Sequence, residues 1–184
     1  MSFRPNAMFK QLVLIAPLLA LTCAYAAAPQ KHRVLVVGGI HQSNVEMFDD
    51  RMKAMLWVMA VSVAKETSKT IAEKNYPTFE YISDSPSTAR SFVGKAKAKV
   101  DECLCTLSVF VKVEVDLASQ TKQVLFKFFA VPESNGLIYL EPMLETAAWH
   151  STFAIPFTEL ARYKEVSSRA TEQLFLSQVL TKTN

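Results

Sequence analysis

The chain has few glycines, few cysteines and few histidines. Its 184 residues include 4 glycines, 3 cysteines and 3 histidines. The adjacent pair Gly38 and Gly39 does not continue into the G-x-G-x-x-G pattern of a nucleotide-binding turn. No two histidines have the H-E-x-x-H spacing of a zinc hydrolase, and no G-x-S-x-G nucleophile motif occurs. These absences imply no cofactor and favour a non-enzymatic protein.

A strong net charge is also missing once the amino terminus is set aside. The whole chain has 20 basic and 17 acidic residues, but Arg4 and Lys10 lie in the first 26 residues, which contain no acidic residue. The remaining 158 residues therefore have a net charge near +1. This balance argues against nucleic acid as a partner, because nucleic-acid binding uses a basic surface. A chain of this length can build one well-filled core rather than two.

Residues 1–26 have the layout of a secretory signal peptide. A basic start is followed by an apolar run at 12–21, and Ala24 and Ala26 form a small-x-small cleavage signal. The apolar run is short for a transmembrane span, and no later segment is long and apolar enough to be one. We expect cleavage after Ala26, which leaves residues 27–184 as a single exported domain in the periplasm or outside the cell.

Cys23 raises the alternative of a lipoprotein anchored at that cysteine. Such processing uses a small residue just before the cysteine and a leucine three places before it. Thr22 and Ala20 occupy those two places. The sequence therefore favours signal cleavage over lipid anchoring.

The hydrophobic pattern predicts the element order β-α-β-α-β-β-β-α. Strands linked through helices, followed by an antiparallel meander, indicate a single α+β or mixed α/β domain whose helices pack on a mixed sheet. The segment 142–156 has two prolines and no regular period, so it is interpreted as irregular. The predicted strands are 32–39, 78–83, 101–116, 122–131 and 137–141, and the predicted helices are 43–74, 85–100 and 158–180.

This element order resembles that of the amino-terminal domain of the periplasmic protein TolB and of related envelope-assembly domains. The resemblance lies in the order of elements alone, and no motif matches residue by residue. It implies the same class of fold, a mixed sheet with helices packed on it.

The stretch "DECLCTLSVFVKVEVD" at 101–116 contains Cys103 and Cys105. If the whole stretch is a strand, both cysteines lie on one face together with Leu107 and four valines, because side chains alternate along a strand. The sequence therefore favours buried core cysteines. The other parity is mostly polar and predicts a sheet face that meets water, with Thr106, Ser108, Lys112 and Glu114 on it.

Two alternatives for the cysteines stay open. Two residues of extended strand separate the Cα atoms by roughly 6.6 Å, near the upper limit for a disulfide, so a bond requires the strand to fray. A thiolate pair formed by Cys103 and Cys105 could instead bind a soft ion such as Cu(I). The corresponding function is a small-ligand, copper or thiol-redox protein.

The segment around 142–157 is the strongest candidate for a binding surface. It combines methionine and aromatic residues with prolines, a composition that protein interfaces favour. We therefore predict a protein-binding or assembly module of a bacterial cell-envelope complex, whose partner is another envelope protein or a second copy of the chain. The predicted interface residues are Met143, Leu144, Trp149, Phe153 and Phe157.

Overall fold

The structure, a computed structural model, describes residues 31–41, 48–118, 122–133 and 147–181. Several sequence predictions lie outside these ranges: the signal peptide, the alternative anchor at Cys23, the interface residues Met143 and Leu144, and the strand at 137–141. The helices of the described ranges include none that is long and apolar enough to cross a membrane.

The predicted order β-α-β-α-β-β-β-α is confirmed. The elements are β1 (Val34–His41), α1 (Asp50–Glu73), β2 (Thr78–Thr88), α2 (Ala89–Cys103), β3 (Leu107–Asp116), β4 (Gln123–Pro132), β5 (Trp149–Pro156), a 3-10 helix (Phe157–Arg162) and α3 (Tyr163–Leu176).

The predicted mixed sheet is also confirmed. Its five strands have the order β2-β1-β3-β4-β5. β1 is parallel to both of its neighbours, whereas the β3–β4 and β4–β5 pairs are antiparallel. Among the strands of the described ranges, β2 and β5 are therefore the two edges of the sheet.

The first face of the sheet, as we name the side that carries Val34, Val36 and the odd-numbered residues of β3, is covered by α1 and α3. The odd positions of β3 are all apolar and buried, as the alternation predicts. Apolar residues spaced three and four apart bury one side of α1 against this face. Thr67 of α1 and Ser167 of α3 share a buried hydrogen bond of 3.0 Å, which satisfies two hydroxyls between the helices.

On the second face, opposite the first, the side chains of β3 were expected to meet water, and within β3 they do not. Ser108, Lys112 and Glu114 of β3 are all buried. Lys112 Nζ lies 3.3 Å from Glu114 Oε1, and Lys127 Nζ lies 2.5 Å from Glu114 Oε2. The prediction was wrong because polar side chains can be buried when they are paired. Of the residues predicted to be exposed there, Thr106 is, but it precedes β3.

The predicted strand 32–39 ends at the glycine pair, a position where two glycines favour a turn, but β1 continues to His41. The pairing shifts register between Gly38 and Ile40, and Gly39 has a φ of 88°. A Cβ on Gly38 would lie 2.2 Å from the Cβ of Ala64. The glycines therefore permit a bulge and a close approach of α1 rather than a turn.

Other boundaries also differ from the predictions. β2 extends to Thr88 rather than ending at residue 83, so α2 begins at Ala89 rather than at residue 85. α1 begins at Asp50, where the Asp49 carboxylate accepts a hydrogen bond from the Met52 amide at 2.8 Å, so a start at Ser43 is wrong. The segment 142–156, interpreted as irregular, contains β5. The final predicted helix, 158–180, is divided into a 3-10 helix, which is kinked at Glu159 with a φ of −122°, and α3, which ends at Leu176.

Candidate functional site at the β5 edge

The hydrogen-bond ladder decides which backbone groups of β5 face the open edge of the sheet. The Glu133 amide donates to the Thr106 carbonyl at 2.9 Å, so the odd-numbered residues of β4 point to β3 and the even-numbered ones to β5. At the far end, the Phe157 amide donates to the Lys122 carbonyl at 3.1 Å, so the odd-numbered residues of β5 point to β4. The residues whose N–H and C=O groups point away from β4 are His150, Thr152 and Ala154.

These outward-pointing groups have no partner strand within the described ranges. Pro156 is also even-numbered, so its missing N–H would point away from β4 and does not interrupt the hydrogen bonds between β4 and β5. Residues 150–155 of β5 include no lysine, proline or acidic residue, which are the residues that commonly block pairing at an edge strand. The main-chain N–H and C=O groups of His150, Thr152 and Ala154 could therefore pair with a further strand.

A groove of about 260 Å³ lies beside this edge, between β5 on one side and the 3-10 helix and α3 on the other. Phe153, Ile155 and Val166 give it a buried apolar lining. Ser151 Oγ donates to Gln173 Oε1 at 2.6 Å and joins strand and helix beyond one end of the groove. The charged residues that line it, all exposed at the surface, are Glu159, Arg162, Glu165 and Arg169.

The four charges of the groove form two unequal groups. Arg162 donates to Glu159 at 2.6 Å and to Glu165 at 3.4 Å. The hydrogen bond to Glu159, followed by that to Glu165, raises the pKa of the Arg162 guanidinium. Arg169 lies 5.8 Å from the ring centroid of Phe153, in a cation–π contact, and within the described part of the chain no carboxylate pairs with it.

The predicted interface residues have different environments. Phe153 is 9% exposed, packs edge-on against Phe128 in the core, and also lines the groove beside β5. Trp149 and Phe157 are half-buried and pack against the first-face core. The binding role of these three residues stays a prediction, as does that of Met143 and Leu144, which lie outside the described residues.

The two cysteines are buried, each 5% exposed, in the core of the second face. Their expected position on a strand is wrong, because Cys103 is the last residue of α2 and Cys105 precedes β3. Leu104 between them has a φ of 51°, and this turn brings the two Cα atoms to 5.2 Å, within disulfide range. The cysteines form a disulfide, one of the two alternatives that the sequence left open beside free core cysteines.

A metal or catalytic role gains no support from these positions. The bonded pair offers no thiolate, so a Cu(I) site at Cys103 and Cys105 stays a prediction for the reduced form. In the described ranges, no group of three or more His, Cys, Asp or Glu side chains could hold a metal ion. His150 is exposed on β5, opposite Phe129 of β4.

Sequence reasoning missed both the free backbone edge and Arg169. The signal for β5 is present, because Trp149, Ser151, Phe153 and Ile155 alternate with His150, Thr152 and Ala154 over "WHSTFAIP". The importance of Arg169 has no local signal, since it depends on the packing of α3 beside β5.

Comparison with known proteins gives the chain no family. No protein-family model matches it, and no curated protein matches it. Among solved structures, it is similar to a PelC dodecamer from Paraburkholderia phytofirmans, with 13% identity, a TM-score of 0.45, and coverage of 85% of this chain and 93% of that one.

Two further structures have similar coverage. The LpoB C-terminal domain from Salmonella enterica has 12% identity and a TM-score of 0.36 over 76% of this chain and 93% of that one. Lipoprotein GNA1162 from Neisseria meningitidis has 9% identity and a TM-score of 0.39 over 77% and 96%. At these TM-scores and identities, none of the three similarities carries an argument about function.

Proposed function

We propose that this protein is an exported, non-enzymatic protein-binding module of a bacterial cell-envelope complex, and that it binds its partner by adding a strand to β5. The observation that carries the proposal is the outer edge of β5, where His150, Thr152 and Ala154 direct their N–H and C=O groups away from the sheet. An extended segment that pairs with such an edge gains main-chain hydrogen bonds, while neighbouring pockets select its side chains.

The groove supports this mode of binding over simple surface contact. It runs along Thr152, Ala154 and Pro156 and is walled by α3. A segment added to β5 would place alternate side chains against that wall, because residues two apart on a strand share a face. Both components of strand addition, a free backbone edge and an adjacent groove, thus occur together.

Export is supported by the signal-peptide pattern of residues 1–26. The basic start, the apolar run and the Ala24-Tyr25-Ala26 cleavage signal come from the sequence alone. We propose the periplasm as the compartment and another envelope protein as the partner.

The test introduces a photo-crosslinking amino acid in place of His150, whose side chain is exposed, and compares adducts formed in the native cell. Thr152→Pro removes an outward N–H without removing a bond to β4, so we expect the partner adduct to fall at least tenfold. Thr152→Val keeps the N–H and is the matched control, with an unchanged adduct.

The folded state of each variant is checked by circular dichroism. If Thr152→Pro unfolds the domain, Ala154→Pro provides the same test, because Ala154 is the next residue of β5 whose N–H points away from β4. Equal adduct yields in a folded proline variant and in the valine control would contradict strand addition at β5.

A further inference from the structure

We propose that the segment added to β5 runs antiparallel to it and carries a basic and an acidic side chain two residues apart. The acidic side chain lies against Arg169, and the basic side chain lies against the end of the groove formed by Glu159 and Glu165. This inference rests on the proposed function, because it specifies the ligand of the same edge.

The Arg169 end of the groove attracts a carboxylate. The Arg169 guanidinium is exposed, lies over the ring of Phe153, and is not neutralised by any carboxylate within the described chain. Arginine held over an aromatic ring keeps its donors available at the rim of the ring, where a carboxylate can accept two parallel hydrogen bonds. An acidic side chain is therefore the complement of this end.

The opposite end has an excess of negative charge. Glu159 and Glu165 share the single guanidinium of Arg162, which leaves one net negative charge at that end. A lysine or arginine on an added segment would neutralise this charge and complete the pairing. The two glutamates and two arginines of the groove cancel in net charge but are separated along it. The groove therefore favours a particular order of charged side chains on the added segment rather than a particular net charge.

The spacing of the two ends matches an extended chain. α3 runs opposite to β5, since Ser151 contacts Gln173 while Phe153 contacts Arg169. From Glu165 to Arg169 the helix rises about 6 Å, and two residues of strand span about 7 Å. Side chains at i and i+2 of an added strand therefore reach both ends from one face.

The order of charges follows from the direction of pairing. An antiparallel segment enters at the Pro156 end of β5 and leaves at the Trp149 end. Its basic residue then precedes its acidic residue, in the pattern base-x-acid. Antiparallel addition continues the arrangement of β4 and β5, and antiparallel pairs are slightly more stable per residue than parallel ones.

A second copy of β5 does not have this chemistry. The sequence "WHSTFAIP" contains no lysine, arginine, aspartate or glutamate. Pairing two β5 edges would therefore leave Arg169 and the Glu159–Glu165 end without complements from the added strand. The charge pattern thus favours a segment of a different sequence over self-association through β5.

The test uses two synthetic decapeptides of alternating threonine and valine, one with a central Lys-Thr-Glu and the other with Glu-Thr-Lys, so that composition and net charge are equal. Binding to the mature chain is measured by fluorescence anisotropy. We expect the Lys-Thr-Glu peptide to bind about tenfold more tightly than the Glu-Thr-Lys peptide. Exchanging the lysine and the glutamate replaces the attraction at each end of the groove with a repulsion, and each of these charge interactions is modest at an exposed site.

Three variants sharpen the measurement. Arg169→Glu should remove the preference for Lys-Thr-Glu. Lys164→Glu makes the same charge change on an exposed position of α3 outside the groove lining, and should leave the preference unchanged. Thr152→Pro should weaken both peptides alike, because it acts on the main chain.

The possible failures of the two proposals differ. Equal binding of both peptides that Thr152→Pro abolishes would overturn the charge inference and support strand addition. Failure of both peptides to bind the folded protein would overturn the charge inference, while the crosslinking at His150 judges strand addition separately. A stable dimer that Thr152→Pro dissociates would make a second copy the occupant and overturn the inference.

Discussion

The two faces of the sheet are buried by different means. The first face is apolar throughout β3 and is covered by two helices, α1 and α3. On the second face the apolar core packs around α2, and the same β3 contributes Lys112 and Glu114, buried as an ion pair. The first face is therefore stabilised by close packing and the second partly by charge pairing, so the two should respond differently to substitution.

The largest effect is expected from the second face, on Glu114→Gln. This change removes the carboxylate that contacts Lys112 and Lys127, and removing one partner of a buried ion pair costs about 3 kcal/mol or more. The free energy of unfolding from urea titration measures the loss. Glu66→Gln breaks an exposed pair with Lys69 and should cost less than about 0.5 kcal/mol. Equal small losses would show that the charges on the second face behave as surface charges.

The next effect tests close packing on the first face. In Gly38→Ala the new Cβ would lie 2.2 Å from Ala64 Cβ, and overpacking of this kind costs about 1–3 kcal/mol. Ala64→Gly removes the opposing Cβ at a cost of about 1 kcal/mol in helix propensity. We expect the double variant to be more stable than Gly38→Ala alone. Strictly additive losses in thermal or urea unfolding would argue that α1 does not approach β1 as closely as described.

The smallest effect is a pH dependence on the second face. Burial raises the pKa of the Glu133 carboxyl above its ordinary 4.5, an effect partly opposed by the hydrogen bond from Ser108 Oγ. A raised carboxyl pKa in the folded state favours folding below pH 4.5, and this contribution is lost as the pH rises through the folded-state pKa.

Glu133→Gln should therefore be slightly more stable than the parent protein at neutral pH. The gain should stay below about 1 kcal/mol, because the half-buried group is screened by solvent. Urea unfolding at several pH values should show the difference disappearing toward pH 4.5. If the difference in the free energy of unfolding between Glu133→Gln and the parent protein is independent of pH, its cause is not the ionisation of Glu133.

Most of the fold could be predicted from periodicity. The alternation from Leu107 to Val115 correctly identified the apolar face of β3, and the element order followed from the spacing of apolar residues in α1 and the strands. Predictions failed where a local pattern has two structural solutions. Cys103 and Cys105 continue the alternation of β3 in the sequence, but they belong to a helix end and a turn and lie in the second-face core, opposite the face of Leu107.

The candidate site was only partly predictable. The sequence directed attention to the segment 142–157, and β5 lies within it, but aromatic composition did not reveal that Phe153 also packs in the core. The available feature of β5 is its main chain. Main-chain groups are the same at every residue, so no sequence pattern distinguishes a paired edge from a free one.

The sequence by itself determined the mixed α/β fold and the apolar surface of β3, because backbone periodicity and burial are encoded locally in residues two, three and four apart. The tertiary structure alone decided that Lys112 and Glu114 are buried and that β5 is an edge beside Arg169. Each of these depends on which segments become neighbours when the chain closes on itself, and that arrangement is set by the whole core rather than by the residues concerned.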